Sequence, residues 1–68
     1  MTISLAQQIE EVEREIALRL RVYPALIKSR KMKKSVAEFH MERIRAVLTT
    51  LHDLDEKAAR EYARALGQ

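Results

Sequence analysis

Residues 4–28 read SLAQQIEEVEREIALRLRVYPALIK. Apolar residues recur at Leu5, Ile9, Val12, Ile16, Leu20, Tyr23 and Ile27, always three or four positions apart. That period puts them on one side of an α-helix and does not suit a strand, whose side chains alternate every second residue. Ser4 with Gln7 three residues on has the spacing of a capping box, so the helix starts there. Ile3 and the polar Gln8 leave a hydrophobic staple incomplete. Glu10, Glu11, Glu13 and Glu15 fill the first half of the helix, where negative charge suits the helix dipole.

Pro24 interrupts the pattern. A helix-interior proline removes a hydrogen bond and costs about 3 kcal/mol. The helix either ends near Arg21 or continues through a kink to about Lys28. The apolar spacing runs on through Tyr23 and Ile27, which favours continuation.

Ser29–Lys34 has no apolar period and reads as a connection. A second helix is expected from Ser35, with Glu38 three residues on as a second capping box. Val36, His40, Ile44, Val47, Leu51, Leu54, Ala58, Tyr62 and Ala65 form its stripe, up to the natural stop at Gly67. Two helices and a short linker predict an all-α antiparallel hairpin, about 4–28 and 35–66, forming a single domain over 1–68. One Gly and one Pro in 68 residues leave too few turn residues for a β-rich fold.

So short a chain buries little apolar surface and usually needs a staple. With no cysteine, disulfides and thiolate metal sites are excluded. The remaining staple is self-association. Leu18 and Val22 lie opposite the main stripe of the first helix, with Ala25 beside them. Met41, Leu48, Ala59 and Leu66 widen the arc of the second. A homodimer forming a four-helix bundle would cover these, with Leu18, Val22, Met41 and Leu48 at its interface.

No chemistry-bearing motif stands out, and a non-enzyme without cofactor or metal is expected. His40 and His52 are twelve residues apart, whereas a helical zinc pair needs i, i+4 spacing. His40 falls on the apolar stripe, as a core or edge histidine. His52 and Asp55 have the spacing of a surface pair. The carboxylates interleave with bases, and Glu10–Arg14, Glu15–Arg19, Asp53–Lys57 and Glu56–Arg60 fit helix-supporting ion pairs. Glycine-rich phosphate loops are absent. No apolar run is long enough to span a bilayer. The acidic start does not read as a signal peptide, so a cytoplasmic protein is expected.

The formal net charge is +3, which permits nucleic-acid binding without demanding it. Lys28, Arg30, Lys31, Lys33 and Lys34 surround the connection and could grip phosphates, or could simply be solvated charge at a helix end. No aromatic residue interleaves them to stack bases. The segment Arg19-Leu20-Arg21-Val22-Tyr23-Pro24 combines Arg and Tyr, which are enriched at binding hot spots. Together with Arg14, it gives Arg14, Arg19, Arg21 and Tyr23 as candidate partner-binding residues.

Ser4-Leu5-Ala6-Gln7-Gln8-Ile9, Arg14-Glu15-Ile16-Ala17-Leu18-Arg19, Arg21-Val22-Tyr23-Pro24 and Ala46-Val47-Leu48 with Leu51 resemble small helical-hairpin proteins of phages and prophages. They are similar in size and general pattern to phage-encoded quorum-sensing anti-activators. Such proteins usually carry Gly in the connection, where this chain has Arg30. The resemblance implies a dimeric inhibitor that occludes the functional surface of a host protein, such as a transcription regulator. Two other readings remain: a nucleic-acid-binding protein using the basic connection, and a structural or assembly adaptor.

Overall fold

The computed structural model describes residues 1–67 as α1 (Leu5–Lys28) and α2 (Lys34–Leu66), packed as a hairpin. Gln68 of the expected 1–68 domain lies outside the described residues. The described residues contain no strand. The all-α hairpin expected from the sequence is the observed fold, and each helix boundary falls within one residue of its expected position.

The cap that opens α1 forms in both directions. Ser4 Oγ accepts from the Gln7 N–H at 3.1 Å, and Gln7 Oε1 accepts from the Ser4 N–H at 2.8 Å. A cap of this kind stabilises a helix by about 1 kcal/mol. Where the hydrophobic staple is incomplete, Gln8 Nε2 donates to the Ile3 carbonyl at 3.3 Å and ties down the incoming chain. α1 runs through Pro24 to Lys28, as the apolar spacing predicts.

α1 ends in a Schellman motif. The Lys31 N–H reaches the Leu26 carbonyl at 2.9 Å, and the Arg30 N–H reaches the Ile27 carbonyl at 3.0 Å. This reversal needs one residue in the left-handed region, and Arg30 takes it with φ 62°. A Cβ in that conformation costs roughly 1–2 kcal/mol, and glycine normally holds the position.

The second cap differs from expectation. α2 begins at Lys34 with Lys33 as its N-cap, and no side chain caps it. The tight end of α1 reverses the chain early, so Ser35 already lies within the first helical turn. A residue with helical φ and ψ cannot serve as the cap, and the Ser35–Glu38 box does not form.

The seam is also rotated on α2. The covered residues there are Ala37, Met41, Ile44, Leu48 and Leu51. Val36, His40 and Val47 of the expected stripe are exposed. The apolar arc of α2 is wide enough for either choice, and the helix turns Met41 and Leu48 inward. On α1 the expected stripe is covered except at Leu20, which is 55% exposed, while Arg19 lies half-buried beside it. Steps of four and three on both helices give the repeat of a coiled-coil seam.

This seam buries little. Ile9 (7% exposed), Ala37 (5%) and Met41 (9%) are the only buried residues among those described. α2 has 33 residues against 24 in α1, and every described residue beyond Leu51 is exposed. The radius of gyration is 16.6 Å, whereas a compact chain of this length would have about 11 Å. Its surface is 5905 Å2, against roughly 4,400 Å2 for a compact monomer of this mass.

Replacing Arg30 by Gly relieves the left-handed strain but frees the unfolded chain, for a net gain of about 1 kcal/mol. The expected result is a midpoint about 4–8 °C higher in thermal melts at matched protein concentration. Arg30→Val should lower it. Equal melts for the two variants would show that the φ of Arg30 carries no strain.

Candidate functional site

Near the connection a depression runs beside the seam. A groove of about 350 Å3 opens on one side of the hairpin, with Leu20, Tyr23, Pro24 and Ile27 from α1 and Ala37 and Met41 from α2 along it. Ala37 contributes only a methyl group, and Pro24 a short ring, so the two helices leave a depression between them. Arg19, Lys34 and Arg45 supply positive charge at the rim, and Glu38 and Glu42 supply negative charge. Lys34 and Glu38 pair at 3.9 Å, with both side chains largely in solvent. From Lys34 to Arg45 the groove extends about 16 Å along α2.

The opposite side of the hairpin is a second apolar face. Val36, Val47 and Leu54 are exposed. They are eleven and seven residues apart, which returns them to the same side of α2 within about 20°. They lie across the helix from Glu38 and Arg45 of the groove. Exposed Val22 lies likewise away from Leu20 and Pro24 on α1, while exposed Leu18 turns toward the outer side of that helix. Val22 and the α2 set therefore fall on the back of the hairpin. Phe39 is exposed beside them, with the Arg43 guanidinium 4.2 Å from its ring centre. His40 is exposed at this edge, its ring edge-on to Phe39 at 5.5 Å.

The structure does not bring the four candidate partner-binding residues together. Arg14 and Arg21 flank Ala17 and Leu18 on the outer side of α1, around a shallow depression. Arg19 and Tyr23 lie at the groove. The Arg19 guanidinium is already engaged: Nε donates to Glu15 at 2.9 Å and Nη1 to the His40 carbonyl of α2 at 3.1 Å. It also lies 6.0 Å from the Tyr23 ring centre. Arg19 thus ties α1 to α2 and shapes the groove wall. Of the other expected ion pairs, Arg14 turns to Glu11 at 4.0 Å in place of Glu10.

The proposed dimer residues also divide. Leu18 is exposed on the outer side of α1 and Val22 on the back face, whereas Met41 is buried in the seam and Leu48 is half-buried. The rotation of α2 accounts for this: it turns Met41 and Leu48 toward α1. The basic residues Lys28, Arg30, Lys31, Lys33 and Lys34 are all exposed at the connection.

Sequence reasoning missed Ala37, the most buried residue. Its one signal was its place three residues before His40 and four before Met41. The Phe39–Arg43 contact was signalled by i, i+4 spacing.

Among the described residues, no group of three or more His, Asp or Glu could hold a metal ion. No described helix is long and apolar enough to cross a membrane. No protein-family model matches the chain, and no curated protein or solved structure matches it.

Removing the Arg19 guanidinium loses one charge-assisted bond between the helices and one within α1. Arg19 is partly exposed, so Arg19→Ala should cost about 1 kcal/mol in chemical denaturation. Arg21→Ala should stay within about 0.5 kcal/mol. Equal costs for the two would mean that Arg19 does not tie the helices together.

Proposed function

We propose that the protein is a small protein-binding module that acts as a homodimer and takes a partner segment into the groove beside Tyr23. The observation that carries this reading is the groove's composition. An apolar floor with a rim of mixed charge suits the apolar side of an amphipathic helix, and the rim charges select its orientation. Tyr23 offers a large contact area at low entropic cost, as hot-spot residues do. Leu20 contributes to the groove while having little role in the seam. A module of this kind inhibits its partner by covering the surface it occupies. The narrower reading, a phage protein that occludes a host regulator, rests on the sequence resemblance alone.

The exposed cluster at the connection favours a second reading, non-specific nucleic-acid binding. Such binding would weaken steeply as salt rises.

One experiment separates the two. Tagged protein is used to recover partners from bacterial lysate, with and without nuclease, alongside Leu20→Glu and an Arg14→Ala/Arg21→Ala double variant. The groove reading predicts a discrete protein, recovered despite nuclease, lost with Leu20→Glu and retained by the double variant. Its loss with the double variant alone would move the site to the outer side of α1. Retention by all the variants would remove the groove assignment. Diverse material that disappears with nuclease would support the nucleic-acid reading.

A further inference from the structure

We infer that a second copy of this chain docks antiparallel on the back face, with each basic connection beside the acidic end of the other hairpin. This inference rests on the self-association reading above and adds the face and the polarity.

The face follows from exposed apolar surface. Val22, Val36, Val47 and Leu54 fall on the back by their helical positions and are exposed, and exposed Leu18 borders that face. The hairpin's surface exceeds that of a compact monomer by roughly 1,500 Å2, and a standard interface covers about 800 Å2 per partner. The excess is therefore large enough for one such contact. Docking through the back also leaves the groove open.

Polarity follows from charge. Residues 28–34 read KSRKMKK, five positive charges and no negative one. Residues 10–13 read EEVE and residues 53–56 read DLDE, together six negative charges and no positive one. The charged side chains of all three segments are exposed. At 1.5 Å per residue, both acidic segments lie about 22–33 Å from the connection along the hairpin. Each hairpin is thus a rod with a positive connection and a negative region at the far end of the seam. A parallel pair would place ten positive charges side by side, a repulsion that an antiparallel pair replaces with attraction.

The apolar residues fit one register within that range. With Lys34 of one chain level with Glu56 of the other, Val36 stands opposite Leu54 at both ends of the interface. Val47 then lies close to the symmetry axis. One offset of about 33 Å therefore satisfies both charge and apolar pairing. The strained conformation of Arg30 is consistent with this, since glycine there would remove one of the charges.

The result is a closed two-fold dimer in which the two grooves face outward on opposite sides. It can hold two copies of a partner, or two sites on one partner, at once.

The chain has no cysteine, so a spin label at Ser29→Cys reports a single loop-to-loop distance by pulsed electron paramagnetic resonance. Antiparallel docking predicts about 35 Å between labels, whereas a parallel pair would give about 10–20 Å. Sedimentation is run on the same samples, with Val47→Glu and Leu20→Glu made in the labelled chain. The inference expects a dimer with the long distance, converted to monomer by Val47→Glu and retained by Leu20→Glu. A dimer with the short distance would overturn the polarity while leaving self-association standing. A dimer that survives Val47→Glu but is lost with Leu20→Glu would overturn the face. A monomer at all concentrations tested would defeat both this inference and the self-association reading.

Discussion

A pair of helices shares a single seam, and everything else in this molecule follows from how little that seam covers. Ala37, Met41 and Ile9 are its most buried residues, and half-buried residues flank them in steps of three and four. Such a seam uses one stripe on each helix. Both helices carry more apolar residues than one stripe holds, and the surplus appears as a groove on one side and a flat face on the other. Fully burying a Leu or Val side chain contributes about 1.5–3 kcal/mol. Leaving several exposed forgoes a large share of the stability available to so small a domain.

The ends of the hairpin show a second constraint. α1 is closed by a well-formed cap at Ser4 and a Schellman motif at its far end, while α2 starts without a side-chain cap. Arg30 holds a backbone conformation better suited to glycine. Pro24 gives up a hydrogen bond within α1 and lies at the groove. Both departures from local preference fall at the connection end of α1, Pro24 in its last two turns beside the groove and Arg30 two residues past its end. Clustering of this kind is where conflict between stability and function is expected to concentrate.

The hairpin was legible because periodicity, caps and linker length all point the same way. The Ser4–Gln7 box formed as read, and the apolar spacing carried α1 through Pro24. The Ser35–Glu38 box failed because the Schellman turn, set by backbone geometry at Arg30, brings α2 in earlier than its best capping residue. The seam on α2 was misplaced for a different reason. Its wide arc admits several rotations, and the sequence of one helix does not contain the position of its neighbour. Arg19 was legible as a surface cation paired with Glu15, but its bond to the His40 carbonyl is a tertiary contact with no local signal. The groove arose in the same way, from Pro24 and Ala37, thirteen positions apart in the chain, lining one depression.

Thermal melting over a hundredfold range of protein concentration tests the central claim most directly. If the seam alone is insufficient and self-association completes the core, the melting midpoint rises with concentration, because dimerisation stabilises the folded state by mass action. A cooperative transition with a midpoint independent of concentration would contradict the account. It would show that the hairpin is stable as a single chain and that its apolar faces do not serve to join two copies.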